Sequence, residues 1–120
     1  MSQGRRGRWW LASGLIAAGI WAVSGMSDTP GPGLAHPWDW AAHGVTYLAL
    51  AFSLTRATGS VGAALALAAW YGALDEVHQS FVPGREAGLP DWLADVTGAW
   101  LGVTLTGWRR APAPQPATPD

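Results

Sequence analysis

The sequence predicts an all-α fold, an integral membrane bundle of four short transmembrane helices. Three observations carry that expectation. Four largely apolar segments of helical length alternate with turn-rich or tight connections. Charged residues make up only 12% of the 120-residue chain, against roughly 25% in an ordinary soluble domain. Six of the seven arginines stand where four alternating spans would bring them to one side.

The first segment, Trp9–Met26, has no charged residue. The second, Asp39–Leu54, is apolar after its first turn, and the third, Ser60–Leu74, is rich in Ala and Leu and runs into Asp75 and Glu76. The fourth, Asp91–Trp108, carries Asp91 and Asp95 early and is otherwise apolar. Helices are therefore expected at about 9–26, 39–55, 60–78 and 91–108. Each apolar segment spans about 15–18 residues, or roughly 23–27 Å at 1.5 Å per residue. A membrane span usually takes about 20 residues, so flanking turns must complete these. The alternative is a soluble bundle, but a soluble helix should present a charged face, and nothing between Val61 and Leu74 provides one.

Arg5, Arg6 and Arg8 precede the first segment, Arg56 lies between the second and third, and Arg109 and Arg110 follow the fourth; only Arg85 falls on the other side. The positive-inside rule assigns the six to the cytoplasm, with both termini there. Trp9, Trp10 and Trp108 then sit at the inner interface, and Trp38, Trp40 and Trp92 at the outer one. The expected location is the bacterial inner membrane. A basic N-terminus, 1–8, leads into a membrane domain over 9–108, and the Pro/Ala-rich tail, 109–120, is expected to be disordered. The first segment also fits a cleaved signal peptide, with Ala22 and Ser24 as small residues near a cleavage site. Cleavage would leave three spans with the same orientation.

The formal net charge of −1 argues against nucleic acid as a partner, since such proteins are usually strongly basic. Cysteine is absent, which removes disulfides, thiolate metal sites and cysteine nucleophiles. The connection 27–37 contains Pro30, Gly31, Pro32, Gly33 and Pro37 and reads as an irregular outer loop. Ala57–Gly59 reads as a tight inner turn, and Ser80–Pro90 as a second outer loop.

This topology brings the polar residues to the outer end. Asp39, His43 and Tyr47 are spaced i, i+4, i+8, along one stripe of the second helix. Asp75 and Glu76 close the third apolar run, with Gln79 one turn later. Asp91 and Asp95 begin the fourth helix, with Gly98 and Gly102 following at helical spacing to permit close approach of a neighbour. Asp39 and Asp91 are expected at helix N-termini, where helix capping is the alternative to a functional role. Asp75 and Glu76 stand where the helix dipole disfavours anions, and Arg85 is the nearest cation in sequence to pair with them bidentately. An Asp39–His43 pair would orient the imidazole, whereas His78 reads as a solvated helix-end residue. The first segment offers no polar clue, and its Gly14/Ala18 and Ala12/Ile16 neighbours suggest packing alone. The cluster reads equally as an ion-pair network that orders four short helices.

The pattern Tyr71…Asp75-Glu76-x-x-Gln79-x-Phe81-Val82-Pro83-Gly84-Arg85, then Asp91…Asp95-x-x-Gly98-x-x-x-Gly102, resembles the VanZ-like family of small bacterial polytopic membrane proteins. Upstream, Asp39…His43…Tyr47 is similar to the family's Asp-Lys-x-x-His…Tyr segment, with Trp40 in place of the usual Lys. Asp95 stands where the family often has Asn. The resemblance runs from about Trp10 to Trp108. It implies a multi-span helical protein of the bacterial inner membrane, with an association to glycopeptide-antibiotic resistance and no established reaction.

Three functions follow as alternatives. In the first, the outward cluster of Asp39, His43, Asp75, Glu76, Gln79 and Arg85, supported by Tyr47, Asp91 and Asp95, acts on or binds a lipid-linked or cell-wall-related ligand. Asp39 and His43 would then exchange protons, Asp75 and Glu76 would hold a divalent ion or act as base, and Arg85 would bind phosphate or carboxylate. No spacing here is diagnostic of a metal, and whether a cofactor is used stays open. In the second, the cluster only orders a structural or partner-binding protein. The third, a proton or small-solute transporter, lacks a polar route through the first helix and the inner halves of the second and third.

Overall fold

The computed structural model describes residues 3–25, 38–83, 88–108 and 117. They form four helices: α1 (Gln3–Ser24), α2 (Trp38–Thr58), α3 (Val61–Ser80) and α4 (Leu89–Trp108). The all-α class with four helices is as expected. The expected outer loop over 27–37 and most of the tail lie outside the described residues.

The helix ends follow local chemistry. α1 starts well before the apolar run, because arginine is a good helix former and this first stretch is solvent-exposed. α2 continues to Thr58, whose Oγ1 donates to the Leu54 carbonyl, and the chain reverses at Gly59 and Ser60. Gly59 has φ of +73°, a conformation glycine adopts without steric cost. Ser60 caps α3 by accepting the Ala63 N–H at 3.1 Å. α3 ends as Phe81 and Val82 donate back to the His78 and Gln79 carbonyls. α4 begins at Leu89–Pro90, two residues before the expected Asp91, since proline is well suited to a first helical turn.

α2 is the central helix and packs on the other three, while α1 and α4 do not meet among the described residues. The α2–α4 interface is the most extensive. A Cβ built on Gly98 would overlap the Gly44 backbone, and one built on Gly102 would overlap the Leu48 carbonyl. The expected close approach at these glycines is therefore present, and α2 is the helix that makes it.

α1 departs from the sequence reading in part: Ile16 packs against the core as expected. Gly14 and Ala18 face outward, and nothing lies within 4 Å of the position of a Gly14 Cβ. The inner face is the stripe Ser13, Ala17, Ile20 and Ser24. Ser13 Oγ and Ser53 Oγ share a hydrogen bond at 2.8 Å. The Tyr71 hydroxyl donates to the Ala17 carbonyl. The polar clue in α1 is thus its serines, which single-sequence hydropathy hides.

The interior is small and partly polar. Ser13, Ser24, Ser53, Thr55, Asp75, Gln79, Asp95 and Thr106 are buried beside Ala51, Ala64, Ala68 and Ala99. Large apolar side chains lie outside on all four helices, among them Leu15, Val45, Trp70 and Trp100. Among the described residues no helix is long and apolar enough to cross a membrane.

The glycine contacts predict opposite signs for one substitution type. Gly98→Ala and Gly102→Ala should each destabilise the purified chain by about 1–3 kcal/mol or more, as overpacking does. Gly14→Ala should be neutral or stabilise by up to about 1 kcal/mol through helix propensity. Thermal unfolding followed by circular dichroism separates the two cases, and equal shifts in all three variants would contradict the interface.

Candidate functional site

The end of the bundle opposite the arginines collects residues from α2, α3 and α4. The opposite end is identified by Arg56, whose guanidinium carbon lies 5.4 Å from the Trp9 ring centroid. Arg6 there approaches the Gly59 turn.

Close packing at Gly98 and Gly44 sets the register of α2 on α4, and His43, next to Gly44, meets Asp95, one turn before Gly98. His43 Nδ1 lies 2.9 Å from Asp95 Oδ1, with the side chains 24% and 0% exposed. Glu76 joins them from α3, and its Oε2 accepts the Gly88 N–H at 3.0 Å. One donor atom each from His43, Glu76 and Asp95 lies within 4.8 Å of the other two. A helix turns about 100° per residue, so adjacent Asp75 and Glu76 cannot face the same point. Glu76 reaches the His43–Asp95 pair, while Asp75 is buried further round α3.

Gly72 makes the space beneath. The position of its missing Cβ lies 3.3 Å from Tyr47 Cε1, 3.4 Å from Trp92 Cδ1 and 3.5 Å from Asp95 Cβ. Tyr47 is buried, and its hydroxyl has no hydrogen-bond partner among the described residues. Trp92 is held by its indole N–H, which donates to the Ala69 carbonyl at 3.1 Å.

Two further bonds surround this centre. Trp40 Nε1 donates to Asp91 Oδ1 at 3.0 Å, joining α2 to α4. Gln79 Nε2 donates to Ser24 Oγ at 3.3 Å, joining α3 to α1. His78 is not simply solvated: it is half-buried and stacked on Trp21, with ring centroids 4.0 Å apart.

Of the sequence candidates, the structure brings together His43, Glu76, Tyr47 and Asp95, with Asp75, Gln79 and Asp91 nearby. Asp39 lies in the first turn of α2, but its side chain is outside the described residues, as is Arg85. The Asp39–His43 and Arg85–carboxylate pairings therefore fall outside them too. Asp95, read from sequence as a supporting residue, supplies the contact to His43 Nδ1. Trp92 and the Gly88 N–H were missed. Trp92, three residues before Asp95 on the same helix face, was a legible neighbour, whereas the Gly88 contact arises from the loop's return and has no sequence signal.

Chemically, the centre presents one imidazole and two carboxylates in a largely water-excluded setting. It can exchange a proton, or bind a cation or a hydrogen-bonding ligand. A 240 Å³ cavity between α1, α2 and α3, lined by Trp10, Leu54, Leu67 and Trp70 among others, contains no charged residue and is unsuited to this chemistry.

Fold and site together define a small four-helix protein with a mixed imidazole–carboxylate centre at one end. The chain belongs to the VanZ/LLP1 family, whose model matches residues 12–110. No curated protein and no solved structure matches it.

The His43–Asp95 contact predicts energetic coupling. A double-mutant cycle of His43→Ala and Asp95→Ala, read by thermal unfolding, should give an interaction energy of about 0.5–3 kcal/mol. The corresponding cycle of His43→Ala with Ser53→Ala should be additive within about 0.5 kcal/mol. Equal coupling in both cycles would remove the pairing.

Proposed function

We infer that this protein is embedded in the bacterial inner membrane, and that its polar centre faces outward and binds a lipid-linked or cell-wall-related ligand. The observation that carries this reading is the distribution of side chains. Charged and hydrogen-bonding groups converge inside one end of the bundle, while Leu15, Val45, Leu67, Trp70, Trp100, Leu101 and Leu105 face outward around it. In water that surface would be a continuous liability; in lipid it is the ordinary exterior. Several polar residues that lower the helices' hydropathy, Ser13, Ser24, Ser53, Thr55, Asp75, Gln79, Asp95 and Thr106, are hidden by the bundle, so the helices suit a membrane as a group better than singly. Exposed Thr46, Thr97 and Thr104 direct their hydroxyls to backbone carbonyls of their own helices, which satisfies them in a medium without water.

The orientation follows from charge. Arg5, Arg6, Arg8 and Arg56 belong to the end that the positive-inside rule places in the cytoplasm, and Asp75, Glu76, Asp91 and Asp95 belong to the other. Both termini are then cytoplasmic. At the outer end, Glu76, Asp95 and His43 offer proton-accepting and proton-donating groups to a ligand with hydroxyl, amide or amine functions, and Arg85 supplies an anion-binding group. A link to glycopeptide-type resistance belongs to this reading, as a consequence of altering or binding such an envelope ligand.

A second reading has a specific observation behind it. The Trp40–Asp91 and Gln79–Ser24 bonds each join two helices, which is what a purely structural polar network would do. One experiment separates the two readings. Envelope-antibiotic susceptibility is measured in cells expressing wild-type, Glu76→Gln and Arg85→Ala proteins at matched membrane levels. Loss of a wild-type phenotype at unchanged abundance is the expected result. A phenotype that falls only in step with abundance would assign the cluster to structure.

A further inference from the structure

We propose that His43, Glu76 and Asp95 form a binding site for a divalent transition-metal ion of the zinc class, with the Tyr47 hydroxyl at its edge. The proposal rests on reading the cluster as a binding centre and names what it binds first. Three elements converge on one point: α2 brings the imidazole, α3 and α4 a carboxylate each, and the donor atoms lie within 4.8 Å of one another.

The second observation is independent of that clustering. Tyr47 is only 1% exposed, yet its hydroxyl has no hydrogen-bond partner among the described residues. Its ring stands beside Asp95 over Gly72, and its hydroxyl lies within electrostatic reach of Asp75, Asp95 and Glu76. Asp95 Oδ2 and Glu76 Oε1 are likewise buried without a partner among the described residues. Buried polar atoms are nearly always satisfied, and an unsatisfied group points to a ligand, ion or catalytic role. Here carboxylate oxygens from two helices are left unsatisfied in the layer where the buried Tyr47 ring stands, and a cation is the species that engages both carboxylates.

The donor set selects the class of ion. Calcium takes six to eight oxygen ligands, and magnesium prefers oxygen and retained water. An imidazole nitrogen with two carboxylates suits zinc and its first-row neighbours. Zinc–ligand bonds of about 2.0–2.2 Å place ligand atoms roughly 3–3.5 Å apart. His43 Nδ1 and Asp95 Oδ1 already stand 2.9 Å apart, and the ion would replace the proton they share. Glu76, with three side-chain torsions, supplies the remaining adjustment. Three protein ligands leave a position for water or for an oxygen of the envelope ligand.

The test uses the full chain purified in detergent and stripped with a chelator. Zn²⁺ is titrated by calorimetry, and Co²⁺ by its visible absorption. Wild type should take up one ion per chain. His43→Ala, Glu76→Gln and Asp95→Asn should each weaken binding by about 100-fold or more. Tyr47→Phe should retain binding, weakened about 10-fold as for a group behind the ligands, with a shifted Co²⁺ band. Helical content and elution volume identify any variant that fails to fold. For such a variant, X-ray absorption of the wild-type zinc form decides by whether nitrogen and oxygen ligands are present. No saturable uptake by wild type, or uptake undiminished in Glu76→Gln and Asp95→Asn, overturns the site. Metal binding without any cluster-dependent cellular phenotype supports the metal site and removes the envelope-ligand reading. A cluster-dependent phenotype without metal uptake removes the metal site alone.

Discussion

Between Gly98 and Gly102 of α4 and the backbone of Gly44 and Leu48 of α2, the two helices meet with no side chain in between. The rest of the molecule is arranged around that contact. Helix axes normally stand 8–10 Å apart because side chains separate them; removing two side chains on one helix allows a closer seam. A closer seam brings the second turns of α2 and α4 within reach of short side chains. Asp95 is a short carboxylate on a rigid helix, and it reaches His43 only because the backbones below have already converged. α3 then closes over both, and Gly72 makes room for Tyr47, Trp92 and Asp95 in the same layer.

α1 is attached differently. It has no glycine seam with α2, and it meets α3 only sparsely. Its anchors are polar and few: Ser13 to Ser53, the Ala17 carbonyl to Tyr71, and Ser24 to Gln79. Where little large apolar surface is buried, such bonds carry much of the specificity of docking. The same division runs through the whole bundle, with small and hydrogen-bonding residues inside and leucine, valine and tryptophan outside. That arrangement draws little on the hydrophobic effect in water and relies on close van der Waals packing and interhelical hydrogen bonds, the forces that associate helices in lipid.

Much of this was legible residue by residue. The four helices followed from apolar runs bounded by Gly, Pro and Ser, which are local signals. The Gly98/Gly102 stripe announced a close contact, and the i, i+4 relation of His43 and Tyr47 put them on one face. Other features were not legible. Glycine and alanine in α1 suggested a packing face at Gly14 and Ala18, but the buried stripe runs through Ser13 and Ser24, because a serine can pack as a small residue and also bond across a helix pair. Asp75 and Glu76 read as an equivalent pair in sequence, yet one joins the imidazole centre and the other is buried elsewhere on α3.

The number of helices, the end that collects acid and the end that collects arginine can all be read along the chain. These depend on hydropathy and charge along the chain, which are additive, local properties. Which carboxylate meets His43, which member of the Asp75-Glu76 pair joins them, and that Tyr47 lies beneath emerge only from the packed bundle. Those choices depend on the relative rotation and axial register of three helices, set by a backbone contact to within an ångström or two. A hydrogen bond is lost over a comparable distance.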